Sequence, residues 1–166
     1  MERRKLVAVG GTFDELHKGH EKLLELSFKV GEKVLVGLSS DELVEALRKP
    51  HEVSPYEERE RRLINFLKGR GFLARAKIIP LKDRYGITID EPELEALVVG
   101  EENRLIAEKI NEERVKRGLK PIEIFYVSMV MAENHKPISS TRIRKGEIDR
   151  EGRLLKREAP PSQEED

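Results

Sequence analysis

Five short apolar runs, at residues 6–9, 33–38, 76–81, 96–99 and 122–127, are separated by segments whose apolar residues recur at helical spacing. Runs this short and nearly continuous predict strands buried on both faces. Such strands belong to parallel sheets covered by helices. Between the first two runs, Leu23, Leu24, Leu26 and Phe28 keep close to a helical period from Gly19, and Gly31 stands where a C-terminal cap is wanted. A short helix is expected after Ser39-Ser40-Asp41, running to about Leu47 before a break at Pro50. Ser54-Pro55-Tyr56-Glu57 has a capping-box pattern with proline at the first helical position, and the helix it opens should run to about Lys68. Residues 103–117 place Leu105, Ile106 and Ile110 on one stripe and stop at Gly118. The expected fold class is α/β, a doubly wound parallel sheet with ligands bound outside the carboxyl ends of its strands.

A chain of 166 residues suits one core. Residues 1–157 are expected to form a single domain, and 158–166, with two prolines, four acidic residues and no apolar period, a solvated tail. No apolar run approaches the roughly 18 to 20 residues that cross a bilayer, which predicts a cytoplasmic protein without a membrane partner. Cysteine is absent, so disulfides, cysteine nucleophiles and thiolate metal sites are excluded. Lys plus Arg and Asp plus Glu are equal at 32 each, leaving no overall positive field to argue for nucleic acid. An anion site must therefore be local. The 39% of charged residues favours a surface of ion-pair networks, as in thermophiles.

The first such site is Gly10-Gly11-Thr12-Phe13-Asp14-Glu15-Leu16-His17-Lys18-Gly19-His20, which follows the first strand. It is neither a Walker A loop nor a G-x-G-x-x-G fingerprint. Gly10 and Gly11 let the backbone turn sharply and approach a ligand, Thr12 adds a hydroxyl, and Gly19 leaves the space between His17 and His20 open. A helix opening near Gly19 would turn its free N–H groups and positive dipole end toward the same place, favouring a triphosphate. A lone histidine at a helix start is usually a cap or a surface group. Two that flank a glycine after a strand and a Gly-Gly turn point to phosphate. A zinc site of His17, His20 and Asp14 is the weaker alternative, because the spacing is not that of a metal motif, and no protein-held metal is expected.

The second cluster is Ile138-Ser139-Ser140-Thr141-Arg142-Ile143-Arg144-Lys145-Gly146, where hydroxyls open a helix that then supplies two arginines and a lysine. Hydroxyls, free N–H groups and guanidinium forks are the donors that a leaving pyrophosphate requires. An ordinary N-cap with a basic surface is the competing explanation. From Ser139 to Arg157 there are seven basic residues against three acidic ones, so a neutral chain carries a basic end.

A Gly-Gly-Thr-Phe-Asp start with His-x-Gly-His, joined to an Ile-Ser-Ser-Thr-Arg-Ile-Arg end, resembles the HxGH nucleotidylyltransferase superfamily, and within it the archaeal phosphopantetheine adenylyltransferases. Ser39-Ser40-Asp41, Pro55-Tyr56-Glu57-Glu58-Arg59 and Pro80-Leu81-Lys82-Asp83-Arg84-Tyr85-Gly86 extend the similarity over about residues 5 to 150. Arg84 stands where that pattern has proline, and Val99-Gly100-Glu101-Glu102-Asn103 departs from Val-Ser-x-Glu-Thr. The resemblance implies a Rossmann-like sheet and transfer of the adenylyl group of ATP to 4′-phosphopantetheine. It implies that Thr12 and His20 hold the α and β phosphates and His17 supports the nucleotide. Ser139, Ser140, Thr141 and Arg142 would bind the outer phosphates, with Arg144 a weaker candidate. Lys49 would neutralise the incoming phosphate, unless it is a solvated lysine beside Arg48. Asp83, Tyr85 and Gly86 would line the pantetheine arm, with loop structure as the competing role for them, and Mg²⁺ would accompany ATP, held by phosphates and water. Cytidylyl or flavin adenylyl transfer, and nucleotide binding without transfer, are the alternatives. His51 and His135 belong to no constellation, and no oligomeric state follows.

Overall fold

A computed structural model of the protein describes residues 2–47 and 53–128. Among these residues five strands, β1 (Arg4–Gly11), β2 (Gly31–Ser39), β3 (Ala76–Leu81), β4 (Ala96–Gly100) and β5 (Glu123–Val127), form one sheet in the order β3-β2-β1-β4-β5. Every neighbouring pair is parallel. Among the described residues four α-helices accompany them: α1 (Lys18–Val30), α2 (Asp41–Ala46), α3 (Tyr56–Gly69) and α4 (Arg104–Lys116).

The two faces of the sheet follow from the alternation of side chains along each strand. Val7 and Val9 of β1, Val34 and Val36 of β2 and Ala96 and Val98 of β4 share one apolar cluster with Leu24 and Phe28 of α1 and Leu63 and Leu67 of α3. Ala8 and Leu97 point the other way, into a second cluster with Ala107 and Ile110 of α4. Helices therefore cover both faces, and the sheet is doubly wound as the apolar runs predict. Truncating any one of the fully buried residues Leu24, Phe28, Leu63 or Leu67 to alanine should cost about 2 to 5 kcal/mol. From β1 the chain steps outward to β2 and β3, then returns across β1 to β4. The carboxyl ends of β1 and β4 thus lie where the winding reverses, the place at which such sheets open a crevice.

Three local expectations need correction. Gly31 does follow α1, but in extended conformation (φ −118°), and β2 begins there without a connecting residue. A Cβ on Gly31 would lie 2.7 Å from Val7 Cγ2, so glycine is required by close packing and not by a left-handed cap. Pro55 is the residue before α3, not its first, and Ser54 forms no capping box. The free Tyr56 N–H instead donates to Asp41 Oδ1 at 2.9 Å, so α2 supplies the cap. Leu105 is 73% exposed: the buried stripe of α4 is Ala107, Ile110 and Arg114. The stop at Gly118 is as expected, with φ +82° and a Leu119 N–H to Arg114 carbonyl bond of 2.8 Å. Lys49, His51, the cluster at 138–146, His135 and the tail at 158–166 lie outside the described residues.

Candidate active site

β1 ends in Gly10 and Gly11, opposite Gly37 and Leu38 of β2. A Cβ on Gly10 would press to 3.1 Å from Leu81 Cδ1, so the end of β1 is a close approach of backbone to side chain. The chain then turns through Phe13, whose φ of +47° is the one positive value among the described non-glycine residues. That conformation costs a side chain on the order of 1 to 2 kcal/mol. Complete burial of the Phe13 ring against the α1 and α3 cluster offsets it. The turn so locked sends Phe13 into the core and leaves Thr12 on the wall of the crevice. Asp14, also buried, accepts from the Ser54 N–H at 3.0 Å through Oδ1.

α1 opens on His17, and its first turn is capped by two imidazoles. Gly19 N–H donates to His17 Nδ1 at 3.0 Å, and His17 N–H donates to His20 Nδ1 at 3.3 Å, a reciprocal cap in which histidine side chains do the work usual for Ser and Glu. The rings stack with centroids 3.8 Å apart, and Phe13 meets His20 edge-on at 5.2 Å. Burial lowers the His17 pKa from 6.5 to about 4. His20 falls to about 3, through burial and the neighbouring His17, against a hydrogen bond to the Glu15 main chain that works the other way. Both imidazoles are consequently neutral near pH 7, with Nδ1 accepting and the proton on Nε2.

A cavity of about 430 Å³ opens between the sheet and α4 at the carboxyl ends of β1 to β4. Gly10, Gly11 and Thr12 form one wall; Leu81, Arg84, Tyr85, Ile87 and Thr88, from the loop after β3, form another; Asn103, Ile106 and Ile110 close it from α4. Most of the lining is apolar, with a few polar residues such as Thr12, Ser39, Arg84 and Asn103 among it, the composition expected of a small-molecule site. His17 and His20 do not line this cavity; they stand beyond the Gly10 to Thr12 turn, on the side of α1. Of the loop residues read from the sequence, Tyr85 reaches the cavity. Asp83 orders the loop: its Oδ1 accepts from Tyr85 N–H at 2.9 Å and Gly86 N–H at 2.8 Å, and Gly86 takes φ +54°. Among the described residues no three histidine or carboxylate side chains converge as a metal cluster.

Two arginines escaped the sequence reading. Arg59 is fully buried: Nε donates to the Ser54 carbonyl at 2.7 Å, Nη1 to the carbonyls of Thr12 at 3.0 Å and Ser39 at 2.8 Å, and Nη2 to Asp41 Oδ1 at 3.0 Å. Arg114, equally buried, donates to the carbonyls of Lys120, Thr88 and Glu91 at 2.7, 2.7 and 2.9 Å, tying α4 to the short helix that follows Tyr85. The signal was present. Arg59 lies on the stripe of Leu63 and Leu67, and Arg114 on that of Ala107 and Ile110, positions where a solvated arginine does not belong.

The sequence profile of the cytidylyltransferase-like family matches residues 8–146 of the chain. The phosphopantetheine adenylyltransferase of Methanosarcina mazei is 48% identical over 153 residues, spanning 90% of this chain and 97% of that protein. That of Methanothermobacter thermautotrophicus is 43% identical over 158 residues, or 95% and 94% of the two chains. Among solved structures, a protein of unknown function from Archaeoglobus fulgidus superposes with a TM-score of 0.65 at 33% identity, covering 76% of this chain and 89% of its own.

Proposed function

The chain belongs to the cytidylyltransferase-like family, and from that membership we propose that it is a phosphopantetheine adenylyltransferase acting on ATP in the cytoplasm. Relatives carrying that name cover nearly its whole length, and they supply the acceptor. The observation that carries the chemistry is the junction of β1 and α1, where a glycine turn with Thr12 on the cavity wall runs directly into a helix start capped by two neutral imidazoles.

A phosphate oxygen of 4′-phosphopantetheine attacks the α-phosphorus of ATP. The new O–P bond forms as the bond to the bridging oxygen breaks, and pyrophosphate leaves with the electron pair, so dephospho-coenzyme A is made with no protein nucleophile. Catalysis then consists of aligning two anions and stabilising charge on the transferring and leaving phosphates. Thr12 and the N-terminus of α1 receive the α and β phosphates. His20 donates Nε2–H to them, exchanging its Glu15 contact for a phosphate oxygen, while His17 holds His20 in register and supports the nucleotide. Because both rings are neutral, they act as dipolar donors and need release no proton on binding. Ser139, Ser140, Thr141 and Arg142 take the outer phosphates, with Arg144 in support, and Lys49 the incoming phosphate. Mg²⁺ would accompany ATP, held mainly by the phosphates and water, and would offset part of the phosphate charge.

The acceptor's arm lies along the wall of Tyr85, with Asp83 and Gly86 shaping the loop that presents it. Residues 1–157 carry the activity and 158–166 form a tail outside it. Pyrophosphate release measured across ATP, CTP, 4′-phosphopantetheine and flavin mononucleotide tests the assignment. Fast release is expected with ATP and 4′-phosphopantetheine alone; release with flavin mononucleotide but not with 4′-phosphopantetheine would refute the acceptor.

A further inference from the structure

We propose that Arg59 is a positioning residue for nucleotide binding, holding the Thr12 turn against the end of β2; the proposal rests on assigning Thr12 to the phosphate side of the site. One nitrogen, Nη1, donates to the carbonyls of both Thr12 and Ser39. Two carbonyls that share one donor cannot separate, and both residues line the cavity. The remaining arms of the guanidinium bind the Ser54 carbonyl and Asp41. The single side chain therefore fixes the turn after β1, the end of β2, the start of α2 and the entry to α3 relative to one another.

The energetics favour a geometric role over a stabilising one. Arg59 has no exposed surface, and Asp41, its charged partner among the described residues, is 63% exposed, so the cation is buried against neutral carbonyls and a solvated carboxylate. Taking a guanidinium out of water on those terms is costly, and an apolar residue on the same stripe as Leu63 and Leu67 would serve stability as well or better. Buried ionic groups that are not needed for stability can serve to select one arrangement of the backbone. Here that arrangement is the spacing of two carbonyl-bearing edges of the cavity. Lysine preserves the charge but offers one nitrogen in place of the planar fork, and can satisfy only part of the set.

Arg59→Lys is compared with Arg75→Lys, the latter altering an arginine that donates to the Phe28 and Gly31 carbonyls at the opposite end of the sheet. Each variant is examined by thermal melting, by calorimetric titration with α,β-methylene-ATP, and by pyrophosphate release. The expected result is a lowered melting temperature for both, with binding of the analogue at least about tenfold weaker and turnover about 10²-fold lower for Arg59→Lys alone, the scale of an ångström-sized misplacement. Folded Arg59→Lys with wild-type affinity and turnover would overturn the proposal, as would equal losses in Arg75→Lys. Should Arg59→Lys fail to fold, Asp41→Asn acts on the exposed partner: a few-fold weaker titration supports the proposal and an unchanged one defeats it. If the wild type binds the analogue but makes no dephospho-coenzyme A, the acceptor assignment fails while the role of Arg59 stands. A wild type that does not bind the analogue removes both.

Discussion

Replacing Gly19 by alanine should uncouple activity from stability. A Cβ at that position would lie 2.9 Å from His17 Cε1 and 3.0 Å from Nδ1, the same ring to which Gly19 donates its N–H. Unstrained carbon contacts begin near 3.5 Å, so the imidazole must retreat by roughly 0.5 Å or swing aside. Either movement disturbs a stack whose centroids are 3.8 Å apart and the second half of the cap, from His17 N–H to His20. On the stability side, alanine gains about 0.5 to 1 kcal/mol over glycine in a helix, while a lost cap bond costs about 1 kcal/mol. The two nearly cancel. The melting temperature should therefore move by no more than about 4 °C. For catalysis there is no such compensation: sub-ångström displacement of a phosphate donor should lower kcat by about 10- to 10²-fold, or roughly 1.4 to 2.7 kcal/mol. Thermal melting and pyrophosphate release at saturating ATP and 4′-phosphopantetheine measure the two quantities. A variant that melts like the wild type and turns over within twofold of it would refute the claim that the imidazoles must hold their places.

His20→Ala should keep the fold and lose at least about 10² in kcat, the scale for one preorganised donor, as measured at saturating ATP. His17 and His20 are held neutral by burial, with pKa values of about 4 and about 3 against 6.5 unfolded. Protons are then taken up on unfolding, so stability is greatest above pH 6.5 and falls as pH drops toward 4, on the order of 3 kcal/mol for His17 alone. Urea midpoints from pH 7 to 4 test this, and His17→Asn, which retains a capping acceptor, should flatten the slope. Changing Tyr85 to alanine should raise the KM of the acceptor more than that of ATP, whereas Asp83→Ala, which releases two loop amides, should also soften the loop in hydrogen exchange. Deleting residues 158–166 should alter the melting temperature and turnover negligibly; a loss beyond about 1 kcal/mol would show that the tail docks.

The sheet was readable because its strands announce themselves: residues 76–81, apolar but for Lys77, form a run whose bounds the structure reproduces, and β1 stops at the glycines that end its apolar stretch. The β1–α1 junction was readable for the same local reason, since a strand, a glycine turn and a histidine-flanked helix start are contiguous in sequence. What failed was whatever depended on a distant partner. Gly31 meets Val7 across the sheet, and the α3 cap comes from Asp41, fifteen positions away, so both were misread as local caps. Leu105 matched the apolar pattern of α4, but the face turned to the sheet is fixed by Ala107 and Ile110. Arg59 and Arg114 betray themselves by standing on apolar stripes, but their acceptors, which are mainly backbone carbonyls, leave no mark on the sequence, so their partners are not legible there. For Asp83 the competing role read from the sequence, loop structure, is the one its carboxylate performs on the amides of Tyr85 and Gly86.

The reach of Arg59 bears on the order in which the molecule folds. Its hydrogen-bond partners lie 5, 18, 20 and 47 positions away along the chain. β1, α1 and β2 can pair early, since the helix passes into the second strand without a loop and their contacts close over short stretches. The Thr12 turn, by contrast, has no fixed geometry until α3 has docked and delivered the guanidinium. Refolding should thus show a lag between the recovery of secondary structure and the recovery of nucleotide binding, with α3 substitutions lengthening it. Partly folded chains would hold a sheet but no ligand. Early exposure to ATP would accordingly not speed folding, and would stabilise only the finished molecule.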